Sequence, residues 1–279
     1  VREIADQIAR DLEEIRKRKP LLHHITNFVV MNETANVTLC LGALPVMAHA
    51  QEEVEEMVQV AGALVLNIGT LTAYWIKSMI LAGKKANELG IPIVLDPVGA
   101  GATSLRTEST HRLLDELKID VIRGNAAEVS ILAGFGGKIK GVESVGGQGN
   151  TKEVAKSLAS ERECVVAITG REDIVSDGKR LAVVRNGDAM LSTITGTGCM
   201  ATTVIGGFCA VNRDYFAATV GGLVVFGLAG EKAAAISQGK PGTFHVSLYD
   251  SLASLASEDI YAGCKVEVGE FTRELADGS

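Results

Sequence analysis

The chain has 279 residues, of which 47% are hydrophobic, 4% aromatic and 22% charged, with 31 glycines and a formal net charge of −7. That is enough apolar material for one large α/β core, packed through glycine and alanine because aromatics are scarce. The negative balance excludes a general nucleic-acid surface, which needs a clustered excess of Lys and Arg.

Five scattered cysteines (40, 164, 199, 209, 264) without a C-x-x-C pair exclude a disulfide framework and a zinc site, and fit reduced thiols in a cytoplasmic protein. No signal peptide or membrane span is read from the sequence, since glycine breaks the longest apolar runs.

Ile4, Ile8, Leu12 and Ile15 recur at helical spacing, so residues 2–18 read as a surface helix that stops at Pro20 and is capped by the basic cluster at 16–19. Leu21–Asn27 is compact and unusually polar, with no pattern of its own. Residues 29–41 resume a helix whose Asn32 and Asn36 either tie to backbone or line a pocket. Gly42–Met47 reads as a short strand, with Met47 at its end as core filler or as a soft contact for a flat ring.

Alternating units follow: helix 51–60, strand 63–68, helix 71–89, strand 91–96, helix 108–117, strand 119–123, helix 126–133, helix 151–159 and strand 164–169. This repetition predicts a mostly parallel sheet with helices on both faces and a site at the carboxyl ends of the strands. The glycine-rich stretch 134–149 reads as a mobile connection inside one domain. Residues 173–185 carry an Asp-Gly turn between two β-rich runs and read as an antiparallel hairpin at one end of the sheet. Two helices close the pattern, an apolar one at 216–237 and an amphipathic one at 242–257.

The polar residues that end apolar strands carry the chemistry. Asp96 follows Ile-Val-Leu and precedes Pro-Val-Gly, where it either caps a turn or holds a hydrated cation. In Arg123-Gly-Asn-Ala-Ala-Glu128 the guanidinium suits a phosphate, while Asn125 and Glu128 read equally as a capping box or as an amide and a water-mediated metal carboxylate. His23, His24 and His49 have no metal-ligand spacing and read as satisfied histidines of a pocket wall. Thr195-Gly-Thr-Gly-Cys199 precedes an apolar helix and reads either as an ordinary glycine turn before a core helix or as an anion hole of free N–H groups, with Cys199 on the first turn.

Leu22-His-His-Ile-Thr-Asn27, Met31-Asn-Glu-Thr-Ala-Asn36, Gly42-Ala-Leu-Pro-Val-Met47, Asp96-Pro-Val-Gly-Ala-Gly101, Arg123-Gly-Asn-Ala-Ala-Glu128, Ala167-Ile-Thr-Gly170 and Thr195-Gly-Thr-Gly-Cys199, in this order, resemble the hydroxyethylthiazole kinases. The resemblance implies a ribokinase-like α/β fold, a single kinase domain over 1–279, and Mg²⁺- and ATP-dependent phosphorylation of the alcohol of 4-methyl-5-(2-hydroxyethyl)thiazole in thiamine biosynthesis or salvage. It implies a homotrimer with active sites at subunit contacts, and no membrane or nucleic-acid partner.

Carried over residue by residue, the resemblance makes Met47 and Gly196 contacts of the thiazole, with Asn27 approaching it from across a subunit interface. Arg123, Thr169 and Gly198 bind ATP, Asp96 and Glu128 hold Mg²⁺, and Cys199 is the catalytic group. The wider ribokinase-like superfamily has an Asp where this chain has Cys199. A thiol of pKa about 8.5, lowered at a helix N-terminus, is a mediocre base, so a slow enzyme is expected.

Overall fold

The computed structural model describes residues 2–135 and 148–270; most of the glycine-rich stretch expected at 134–149 lies outside them. Along the chain the elements are α1 (Arg2–Arg18), β1 (Leu21–Ile25), α2 (Met31–Leu41), β2 (Leu44–Val46), α3 (Val54–Gln59), β3 (Ala63–Asn67), α4 (Ala73–Leu89) and β4 (Ile93–Asp96). Then come α5 (Ser104–Glu116), β5 (Val121–Asn125), α6 (Ala126–Leu132), α7 (Gln148–Arg162), β6 (Val165–Thr169), β7 (Asp173–Ser176) and β8 (Arg180–Val184). A 3₁₀ turn (Ala189–Thr193) leads to α8 (Thr197–Cys209), α9 (Tyr215–Ser237), α10 (Pro241–Ser254), α11 (Ser257–Gly263) and β9 (Val266–Glu270).

Among the described residues the strands form one sheet in the order β2-β1-β3-β4-β5-β6-β7-β8-β9. From β2 to β6 the pairing is parallel, and β7, β8 and β9 join antiparallel, so the expected hairpin is extended by a third strand. Successive strand residues alternate between two cores, as the period of two requires. Val94, Val121 and Ala167 pack with α1, α8, α9 and α10 on one face, while Leu95, Ile122 and Ile168 pack with α4, α5 and α7 on the other.

Three elements depart from the sequence expectation. Leu21–Ile25, read as part of a compact polar stretch with no element assigned, is a buried strand near one edge of the sheet, and its two histidines lie in the core rather than in a pocket wall. Each is held through one ring nitrogen, His23 Nε2 pairing with the Ala48 carbonyl at 2.6 Å and His24 Nε2 with Thr38 Oγ1 at 3.3 Å, while the two buried Nδ1 atoms have no partner. Full burial drives His24 down to about 3, so it stays neutral. The strand β9 and the helix α11 were also unread, because Val266-Glu-Val-Gly-Glu270 and Ser257–Gly263 carry too few apolar positions to show a period.

The helix α9 is long and apolar enough to cross a membrane by length and composition, yet most of it is buried in the protein against α1, α8 and α10. Its approach to α8 is set by Gly222, where an added Cβ would lie 2.9 Å from the Ile205 Cα. Backbone cannot yield there as a side-chain tip can. Gly222→Val is therefore expected to lower stability by about 2–3 kcal/mol through overpacking, which denaturant unfolding measures.

Candidate active site

Four adjacent strands deliver polar residues to the same edge of the sheet. The register pairs Asn67 with Asp96 and Asn125 with Thr169, with Arg123 two residues before the end of β5. Onto this edge points the N-terminus of α8. Its N-cap, Gly196, has φ +84°, and the backbone N–H groups of the first turn that follow have no helical acceptor. An added Cβ on Gly196 would also lie 2.6 Å from Val30 Cγ1. Gly196→Ala is expected to cost about 1–2 kcal/mol from the left-handed backbone alone and to displace the amides of the turn, so that activity falls more than thermal stability does.

Arg123 lies against that turn: a Cβ on Gly198 would meet its Nη1 at 2.6 Å. The guanidinium donates through Nη2 to Thr169 Oγ1 and through Nη1 to Asp96 Oδ2, at 3.4 Å in the second case. Thr202 Oγ1, one turn into α8, donates to the same Asp96 oxygen at 2.8 Å. Asp96 is fully buried, and its Oδ1 has no partner. Burial pushes this carboxyl above the usual range, against the pull of Arg123 and Thr202.

Of the two readings of Glu128, the structure shows the capping box. It completes the capping box of α6, with Oε2 accepting from the Asn125 N–H and Asn125 Oδ1 accepting from the Glu128 N–H. Its Oε1 accepts from the Gly99 N–H at 2.8 Å, which pins the loop after Asp96, and the residue lines the same cavity as Asp96. Arg106, unread in the sequence, holds that loop from behind by donating to the carbonyls of Ile68, Gly69 and Val98.

Two cavities meet at this edge. A cavity of about 380 Å³ is lined by Asn27, Asp96, Glu128, Gly196 and Cys199 among others. One of about 710 Å³ is lined by Thr169, Gly170, Asp173, Asn186, Leu223 and Phe226 among others. Arg123, Asn125, Thr197 and Gly198 belong to both, so the guanidinium and the glycine turn stand at the passage between them. In the larger cavity burial lifts the Asp173 carboxyl to about 6.

One sequence expectation needs correction. The helix N-terminus was expected to lower the Cys199 thiol, but burial and then the charge of Asp96 push it up to about 12, outweighing the amides and Arg123. Asn27, expected across a subunit interface, stands beside Cys199 of its own chain, since β1 ends next to β3 and its side chain reaches Asn67 and the sulfur.

Met47 follows the edge strand β2, half-buried, and lines neither cavity. Asn67 was missed, although it ends an apolar strand as Asp96 does and the same rule points to it.

The Hydroxyethylthiazole kinase family profile matches residues 12–258. The chain belongs to the hydroxyethylthiazole kinase family. It is similar to the hydroxyethylthiazole kinase of Chloroflexus aggregans, at 58% identity over 261 residues that cover 94% of each chain. The hydroxyethylthiazole kinase of Thermoanaerobacter pseudethanolicus is 58% identical over 92% of this chain and 97% of its own. Among solved structures, hydroxyethylthiazole kinase from Pyrococcus horikoshii OT3 superposes with a TM-score of 0.87 at 48% identity, covering 94% of this chain and 99% of that one. Staphylococcus aureus pyridoxal kinase in complex with ADP shares the fold at a TM-score of 0.60 and 13% identity, over 90% of this chain and 98% of its own.

Proposed function

We propose that this chain, as one ribokinase-like domain, transfers the γ-phosphoryl group of ATP to the alcohol of 4-methyl-5-(2-hydroxyethyl)thiazole, in thiamine biosynthesis or salvage. The observation that carries the reading is the passage itself: a large cleft and a small one share Arg123 and the glycine turn of α8, which is where a phosphoryl group in transit needs charge and N–H donors. In this reading ATP occupies the larger cavity, with Thr169 and Arg123 toward its phosphates and Gly198 offering backbone. The thiazole alcohol enters the smaller one, against Gly196, Asn27 and Cys199.

The donor set also fits Mg²⁺. Asp96 Oδ1 is a buried oxygen without a partner, and Glu128 faces the same cavity, a one- or two-carboxylate arrangement completed by substrate oxygens and water. Bound there, Mg²⁺ supplies charge for the phosphates; among the described residues no cluster of three or more acidic, His or Cys groups offers a rival metal site. The residues of the chain do the rest: Arg123 neutralises and orients, the α8 amides receive developing negative charge, and Thr202 fixes the Asp96 rotamer.

Met47 fits its thiazole role only if it is supplied to the pocket of another subunit, which favours the homotrimer. Phe28 (64% exposed) and Val29 (60% exposed), beside the smaller cavity, are the apolar surface such an assembly would cover. Sedimentation equilibrium tests it.

The deciding assay is ADP release by the purified protein with Mg²⁺-ATP, without acceptor, with hydroxyethylthiazole and with hydroxymethylpyrimidine, the product being identified by mass. Thiazole-dependent release is the expected result. Release with the pyrimidine alone would overturn the acceptor assignment, and release with neither would overturn the kinase reading.

A further inference from the structure

Two side-chain amides converge on the Cys199 sulfur. Asn67 Nδ2 lies 3.1 Å from Sγ and Asn27 Nδ2 lies 3.8 Å from it. Neither amide is free to turn over. Asn67 Oδ1 accepts from the Gly69 N–H at 2.9 Å and from Asn27 Nδ2 at 2.7 Å. Asn27 Oδ1 accepts from the N–H groups of Val29 and Val30 at 3.0 and 3.2 Å. Reversing either amide would set donor against donor. With its lone-pair side facing these donors, the thiol has one direction left for its S–H, and that is the smaller cavity that Cys199 lines with Asp96, Arg123 and Gly196.

We propose that Asn67 is a positioning residue for phosphoryl transfer: its locked amide holds the Cys199 sulfur as an acceptor and turns the S–H onto the oxygen of the acceptor alcohol. The proposal rests on the kinase reading above. The alcohol then accepts a hydrogen bond from Cys199 with one lone pair and keeps the other for attack on the γ-phosphorus, with its own proton turned toward the phosphate. In the transfer, the bond from the alcohol oxygen to the γ-phosphorus forms and the bond from that phosphorus to the β–γ bridging oxygen breaks. The electron pair of the broken bond leaves on ADP, and the alcohol proton passes to a non-bridging oxygen of the transferred group. A loose transition state, in which the proton leaves late, permits this route.

The test is a double-mutant cycle on kcat with hydroxyethylthiazole and Mg²⁺-ATP. Asn67→Ala and Cys199→Ala each lower kcat about tenfold, and the double variant is no slower than Cys199→Ala alone. Losses that multiply overturn the proposal, since Asn67 would then act without the sulfur. Asn67→Asp keeps the acceptor for Gly69 and Asn27, and so the local fold, but offers the S–H an acceptor on the wrong side. Its kcat falls as for Ala with KM for ATP unchanged, and wild-type turnover in this variant overturns the proposal.

In the infrared, the S–H band that disappears in Cys199→Ala moves to lower frequency when hydroxyethylthiazole is added to the wild type. It stays fixed in Asn67→Asp; a band that does not move in the wild type overturns the assignment. A wild type that fails to phosphorylate the thiazole refutes the kinase reading, whereas an active wild type with multiplying losses refutes only the role of Asn67.

Discussion

Asp96→Asn is expected to lower kcat by about 10³-fold while leaving the protein folded, a loss of several kcal/mol of transition-state stabilisation. The substitution is nearly isosteric. Thr202 and Arg123 can still donate to the remaining oxygen, but the negative charge and the free Oδ1 are gone from the smaller cavity. Stability should move the other way, or not at all.

Burial holds the folded-state pKa of Asp96 above that of the unfolded chain. A raised acid favours folding below the unfolded pKa, near 4, and that contribution is lost as pH rises through the folded pKa. At neutral pH and without divalent cation the ionised group therefore costs stability, and Asn removes the cost. A melting temperature within about 3 °C of wild type, or above it, with kcat collapsed, is the expected pair of results. A kcat within tenfold of wild type would remove Asp96 from the machinery.

Arg123→Gln is expected to raise KM for ATP about 10- to 100-fold, with a smaller fall in kcat. Hydrogen bonds to a charged group are worth about 1.5–3 kcal/mol and each 1.4 kcal/mol is tenfold. Arg123→Lys should recover part of the charge but not the fork that now spans Thr169 and Asp96. Removing the guanidinium also strips the buried Asp96 of its counter-charge, so some stability is lost with it, and KM belongs to a temperature well below the lowered melting point. An unchanged KM for ATP would place the phosphates elsewhere.

Where a polar residue ends an apolar run, the gathering of the candidate site was readable from sequence: Asp96, Arg123, Asn125 and Thr169 were all picked that way, because a parallel sheet brings such ends along one edge. Asn67 obeys the same rule and was passed over, since an amide between Leu66 and Ile68 looks like an interruption until its neighbour in register proves to be Asp96.

The strand at 21–25 was hidden by its own chemistry. His23 and His24 each keep one hydrogen bond inside the core, which no periodicity reveals. The Cys199 shift was misjudged because a helix N-terminus is visible in sequence, whereas burial and the approach of Asp96 come from elements a hundred residues earlier. Met47 is the residue whose expected role a single chain does not supply.

The apolar helix α9 also bears on the way the chain is made. Its 23 residues are as greasy as a membrane-inserting segment, and a ribosome delivers them before α10 exists to cover them. The surfaces of α1 and α8, synthesised earlier, are already waiting. The order of synthesis thus lets the nascent helix be sequestered as it emerges, against the same α8 whose first turn lines both cavities.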